Sequence, residues 1–169
     1  NPSSLDVIQF INVDSTGDSI DFGNLTDARF ELAAVASRTR AIFGGGNDGS
    51  SDLNLIDYVT ISSTGNASDF GDMTYKSQMS SGSGSSTRGL FWGNISSPYK
   101  TIDYITIATT GNAVEFGQSN TVTGYANSCS STIRSVAGGG QSPAATNCID
   151  YITIATTGDA VDFGDLTTD

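Results

Sequence analysis

One ten-residue string recurs four times in this chain and decides what it can fold into. IQFINVDSTG begins at Ile8, IDYVTISSTG at Ile56, and IDYITIATTG at both Ile102 and Ile149, in steps of 48, 46 and 47 residues. A second element follows each copy: Asp21-Phe22-Gly23, Asp69-Phe70-Gly71, Glu115-Phe116-Gly117 and Asp162-Phe163-Gly164. A third lies between copies: Arg40 to Gly46 (RAIFGGG), Arg88 to Asn94 (RGLFWGN) and Arg134 to Gly140 (RSVAGGG). Three elements held in one phase make the repeat, and not the single residue, the unit of folding.

Each element reads as β-structure. In Ile102 to Ile107 one strand face carries Ile102, Tyr104 and Thr106, and the other Asp103, Ile105 and Ile107. Apolar groups on both faces place this strand between neighbouring sheets. Thr-Thr-Gly-Asn at 109–112 is a hairpin turn, because Gly and Asn tolerate the backbone such turns need. Val114 and Phe116 lie on the return strand, and the run before each glycine cluster is another strand. A weaker strand precedes each Arg: Phe30 to Ala36, Ser77 to Ser83 and Gly124 to Ser130. The nearest helical candidate, Ala28 to Ser37, is too short to compete.

The expected fold class is all-β, built of β-propeller-type four-stranded blades with a period of about 47 residues, as three full repeats plus a half. The repeat units run 5–54, 55–101, 102–148 and 149–169 within one repeat domain spanning 1–169. A trimeric fibre shaft of short β-repeats is the architectural rival. The chain opens on the third strand of one repeat and closes after the fourth strand of another, so it is expected to be part of a longer array or to be completed by another copy.

Composition narrows the chemistry. A net charge of −11 with seven basic residues excludes the clustered Lys and Arg that a nucleic-acid backbone requires. There is no run of about 18 apolar residues for membrane insertion. There is no His, which removes the commonest general base and metal ligand. Asp57, Asp103 and Asp150 share one phase, as do Asp69, Glu115 and Asp162; a scaffold repeats a residue in every unit, whereas an enzyme needs one special pair. Arg40, Arg88 and Arg134 also share a phase and are expected to donate charge-assisted hydrogen bonds within or between blades, with a ring of Arg recognising an acidic glycan as the functional alternative.

No catalytic residue and no cofactor are predicted. The loop holding Asp48 and Asp52 offers oxygen ligands for calcium, against the simpler reading of a polar hairpin loop. Cys129 and Cys148, on the first and third strands of one repeat with a strand between, are read as two free thiols. Trp92, Tyr99, Tyr75 and Tyr125 fall outside the repeat pattern and are the candidate binding residues, since exposed aromatics stack on sugars and dominate interfaces. For Trp92 the alternative is packing between blades, where neighbouring repeats carry Gly45 and Gly139.

The order Arg, Gly-Gly, Asp-Tyr resembles kelch-type propeller repeats. More closely, Thr-Arg, Gly-Gly-Gly, Ile-Asp-Tyr-Ile-Thr-Ile-Ala-Thr-Thr-Gly and Asp-Phe-Gly-Asp-Leu resemble repeats of tail-fibre or appendage proteins of marine tailed phages, cyanophages especially, over essentially the whole chain after Ser4. Gln9-Phe10 in the first repeat and Trp92-Gly93-Asn94 in the second depart from the pattern. The resemblance implies an extracellular, virion-associated, non-enzymatic domain that contacts a host-surface glycan or protein or builds the fibre itself. The alternatives are a bacterial adhesin or filament subunit and, third, a polysaccharide-degrading propeller.

Overall fold

Fourteen strands and no helix make up the computed structural model, which describes residues 4–95, 99–122, 124–141 and 144–167. The strands form four antiparallel sheets in chain order. Sheet 1 holds β1 (Leu5–Phe10) and β2 (Ile20–Arg29). Sheet 2 holds β3 (Ala33–Ala36), β4 (Arg40–Gly44), β5 (Leu53–Thr60) and β6 (Ser68–Ser77). Sheet 3 holds β7 (Ser81–Gly84), β8 (Arg88–Trp92), β9 (Thr101–Thr106) and β10 (Val114–Gln118). Sheet 4 holds β11 (Asn127–Ser130), β12 (Arg134–Gly138), β13 (Cys148–Thr153) and β14 (Val161–Asp165). Sheets 2 to 4 are four-stranded meanders, and sheet 1 matches their third and fourth strands.

The same local devices recur in each sheet. Between first and second strands a serine hydroxyl accepts the backbone N–H groups that follow it: Ser37 from Thr39 and Arg40, Ser85 from Thr87 and Arg88, and Ser131 from Ile133 and Arg134. In each fourth strand the register slips at the Asp/Glu-Phe-Gly element, leaving Phe22, Phe70 and Phe116 as the extra residue of a β-bulge. Phe163 occupies the same place in β14. A bulge re-aims its side chain, and here it puts each Phe edge-on to the aromatic ring of the third strand, with centroids 5.8 to 6.0 Å apart. The glycine after each Phe takes a positive φ, for example 143° at Gly71.

The first strands begin later than the sequence predicts, at Ala33, Ser81 and Asn127 and not at Phe30, Ser77 and Gly124. The reason is local: Glu31, Met79 and Tyr125, one just before each first strand, adopt left-handed φ of 58°, 55° and 61° and interrupt the extended chain. Likewise Ala28 to Ser37 is not helical but spans the end of β2 and all of β3.

Two buried clusters hold the sheets together. One gathers Ala33, Val35, Ile42, Ile56, Phe70, Phe91 and Ile107 between sheets 2 and 3; the other gathers Leu90, Trp92, Ile102, Phe116, Ala137 and Ile154 between sheets 3 and 4. Small residues permit the close approach. A Cβ at Gly82 would overlap the Ala34 carbonyl, and one at Gly44 would stand 2.7 Å from the Phe91 ring.

Candidate functional site

The third-strand aspartates and two of the three repeated arginines are used up in the junctions between sheets, whereas Asp69, Glu115 and Asp162 are exposed. Asp57 accepts the backbone N–H and hydroxyl of Thr26 at 3.2 and 2.6 Å; Asp103 accepts the same two groups of Thr74 at 2.8 and 2.7 Å; Asp150 accepts the backbone N–H and side-chain amide of Asn120 at 2.9 and 2.8 Å. Each third-strand carboxylate thus holds the end of the preceding sheet's fourth strand. The arginines reach the other way. Arg40 donates to the Ile107 carbonyl at 2.9 Å and Arg88 to the Ile154 carbonyl at 2.7 Å, each in the following sheet. Arg40, Arg88 and Arg134 lie 4.5 to 4.7 Å over Tyr58, Tyr104 and Tyr151 of their own sheets.

Backbone completes each junction. Gly111 N–H donates to the Phe70 carbonyl and Ala113 N–H to the Asp72 carbonyl, both at 2.7 Å, while Asn112 accepts the Asp72 N–H at 3.0 Å. The turns at Gly65 and Gly158 repeat this pattern against sheets 1 and 3.

Burial raises the pKa of Asp103 above the usual carboxylate range, the Thr74 hydrogen bonds oppose the shift, and Glu115 adds to it. With the folded value above the unfolded one, the folded state holds this proton more tightly, so the group adds stability as pH falls from neutral towards about 4. Wild type is therefore expected to gain in melting temperature relative to Asp103→Asn over that range; a difference independent of pH refutes the linkage.

The aromatic candidates separate into two classes. Trp92 is fully buried, and its indole N–H donates to the hydroxyls of Ser83 and Ser135 at 3.1 and 2.9 Å, so it packs between sheets 3 and 4 and presents nothing to a ligand. Strand register pairs it with Ser81, as Gly44 pairs with Ala33 and Gly138 with Asn127, so its counterparts are Gly44 and Gly138 and not Gly45 and Gly139. Tyr75 is also buried, its hydroxyl donating to the Thr101 carbonyl at 3.1 Å, and burial pushes that hydroxyl's pKa up. Both are corrected from binding residues to packing residues. Tyr99 and Tyr125 are exposed.

Tyr125 belongs to a cluster the sequence does not reveal. Met79 N–H donates to the Glu31 carbonyl at 3.0 Å, and Tyr125 N–H to the Met79 carbonyl at 3.2 Å. The three left-handed residues are thereby chained across sheets 2, 3 and 4, and with Leu32, Ser80, Ala126 and Asn127 they line a cavity of about 380 Å³. Each left-handed non-glycine residue costs on the order of 1–3 kcal/mol, a strain that gathers at sites of ligand contact. The signal in the sequence was variability at a fixed phase: Glu, Met and Tyr occupy one repeat position. Tyr99 lies outside this cavity.

Metal-binding chemistry finds less support. Asp48 accepts the N–H groups of Ser50 and Ser51, with Ser51 the larger cause of its lowered pKa, and Asp52 accepts the Asn47 amide. Each carboxylate is thus already an acceptor within its own loop, through its Oδ1. Cys148, Asp150 and Asp162 bring their ligand atoms within 4.8 Å of one another, with Asp150 also accepting from Asn120; burial, then the Asp150 hydrogen bond, raises the Cys148 thiol pKa. Cys129 and Cys148 are free thiols. No helix among the described residues is long and apolar enough to cross a membrane.

The chain matches none of the protein-family models and none of the curated proteins with which it was compared.

Proposed function

We propose that this chain is a non-enzymatic binding and structural module of an extracellular virion appendage, its sheets arranged as propeller-type blades, and that the Glu31–Met79–Tyr125 cavity contacts a host-surface glycan. The observation that carries the reading is the contrast between repeated and variable positions. The third-strand aspartates, Arg40, Arg88 and the glycines Gly23, Gly71 and Gly117 are engaged in sheet-to-sheet junctions, whereas three different side chains at one phase converge on a cavity. Its volume falls within the range of about 300–1,000 Å³ usual for ligand sites. Tyr125 offers an aromatic face to a sugar ring, and Glu31 and Asn127 offer hydrogen-bonding groups to its hydroxyls. The resemblance of the repeats to those of marine phage appendages supports the virion setting. A bacterial adhesin built from the same sheets uses the cavity in the same way and is separated from the virion reading by the genes that flank this one.

Binding to host cells and to an array of host glycans tests the assignment. Tyr125→Ala is expected to weaken binding about tenfold, the scale of one aromatic–sugar stacking contact, with the melting temperature unchanged. Tyr99→Ala serves as the exposed-tyrosine comparison outside the cavity. Unchanged binding by Tyr125→Ala overturns the site, and release of reducing sugars from a host polysaccharide overturns the non-enzymatic reading.

A further inference from the structure

Each internal junction between full sheets buries the same positions from two sides. The preceding sheet supplies the bulged Phe and the residue three further on, which are Phe70 with Met73 and Phe116 with Ser119; the following sheet supplies Ile105 with Ile107 and Ile152 with Ile154. All eight are no more than 4% exposed. At the two outer surfaces of the stack the equivalent positions are bare. On sheet 4, Phe163 is 58% and Leu166 45% exposed, and Arg134 has no following sheet to reach among the described residues. On sheet 1, Ile11 is 61% and Val13 88% exposed.

The glycines mark the same two half-junctions. The space a Cβ would take at Gly23, Gly71 and Gly117 is filled by the backbone of the turn at Gly65, Gly111 and Gly158. At Gly164 nothing lies within 4 Å. In sheet 1 the turn that corresponds to Gly65, Gly111 and Gly158 is Gly17 to Ser19, which meets no preceding sheet among the described residues.

We propose that the outer face of sheet 4 docks the β1–β2 sheet of a second copy of this chain, head to tail, repeating the internal junction. The register follows from the repeat. Gly17 N–H donates to the Phe163 carbonyl and Ser19 N–H to the Asp165 carbonyl, as Gly111 and Ala113 do to Phe70 and Asp72. Asp18 accepts the Asp165 N–H, as Asp159 accepts that of Gln118. Arg134 donates to the Val13 carbonyl, as Arg88 does to that of Ile154. Phe163 and Leu166 are covered by Val13 and Ile11. These contacts use the second and fourth strands of sheet 4 and the third strand and turn of sheet 1; Gln9 stands there in place of the third-strand aspartate of the internal junctions, so the backbone, Arg134 and apolar contacts carry the pairing. The second copy is the occupant because one chain displays both halves of a contact it already makes within itself, and a heterologous contact of that kind propagates from copy to copy. Burying the apolar residues at both ends removes an exposed surface of the sort that marks protein interfaces. The inference rests on the repeated junction and not on glycan binding, so either can fail without the other.

Sedimentation velocity and light scattering of the whole chain over a micromolar to sub-millimolar series test it. Wild type is expected to grow in mass with concentration, and Arg134→Ala to weaken the association at least tenfold. Phe163→Asp and Val13→Asp each block one face at a residue already exposed in the single chain, so each is expected to remain a single chain with wild-type melting temperature. Mixed together they are expected to form a one-to-one pair and nothing larger, since the first retains a free sheet 1 and the second a free sheet 4. A wild type that keeps single-chain mass throughout overturns the proposal, whether sheet 4 is then covered by more of the same chain or by nothing. A dimer insensitive to Phe163→Asp and Val13→Asp, or a mixture that fails to pair, overturns it equally.

Discussion

Asp57→Ala is expected to destabilise the fold by about 3–5 kcal/mol, the range for stranding one partner of a buried ion pair. Asp57 Oδ2 stands 2.9 Å from Arg29 Nη1 with both side chains essentially excluded from water. Among the described residues Arg29 makes one hydrogen bond, from Nη2 to the Phe43 carbonyl at 3.4 Å, while its Nε and Nη1 have no hydrogen-bond acceptor, so the carboxylate answers the guanidinium by its charge. Without Asp57 a guanidinium remains buried and charged, and the Thr26 N–H and hydroxyl lose their acceptor as well. The other repeats supply the control. Ser77 occupies the repeat position of Arg29, so Asp103→Ala strands the two Thr74 donors but no charge. Its cost is expected to be nearer 2 kcal/mol, as for lost hydrogen bonds of a charged acceptor. The double variant Arg29→Leu/Asp57→Ala is expected to recover most of the loss, because the unpaired charge goes with its partner. Denaturant midpoints with unchanged m-values measure all three; an Asp57→Ala cost within about 1 kcal/mol of zero, or no recovery in the double variant, refutes the account.

That comparison shows what could be read from the sequence. The phase of Asp57, Asp103 and Asp150 is plain in the string, and so is the strand that carries them, because alternation and turn residues act over a few residues. Their partners are not plain, because they lie in another sheet: Arg40 reaches a carbonyl 67 positions away, and Asp57 meets a threonine 31 positions before it. The first strands were legible by phase and not by pattern. Ser81–Gly84 has almost no hydrophobic character, and it is a strand because small residues let it lie close to sheet 2 on one side, with its serine hydroxyls meeting those of Ser128 and Ser135 in sheet 4 on the other. The cavity was not legible. At Glu31, Met79 and Tyr125 the shared constraint falls on the backbone, as a left-handed φ and a peptide hydrogen bond, and leaves side-chain identity free. Reading singular aromatics as surface residues failed at Trp92 and Tyr75 for a related reason: the junctions share a plan but differ in the volume they must fill.

Trp92→Ala tests that difference in volume. Phe91 and Trp92 alternate along β8, Phe91 lying over Gly44 of sheet 2 and Trp92 meeting Ser135 of sheet 4. Where the first of these junctions is filled by a ring against a glycine, the second has small residues, Ser83, Ser135 and Ala137, around one large indole. Truncation is expected to cost about 3–5 kcal/mol, the range for removing a buried aromatic side chain. The polar share is small, because the Ser83 and Ser135 hydroxyls already lie 2.6 Å apart and remain partnered after the indole leaves. The loss is therefore one of packing, and packing can be restored from solution: a cavity lined mainly by apolar groups admits an apolar guest. Added indole is expected to raise the melting temperature of Trp92→Ala and leave wild type unmoved. Trp92 is also the chain's single tryptophan, so its native emission is expected to lie well to the blue and to shift red when sheets 3 and 4 part. A truncation costing under about 1 kcal/mol, the level of an ordinary surface change, or native emission already at the solvent-exposed wavelength, places the indole outside the junction and removes it as the piece that joins these two sheets.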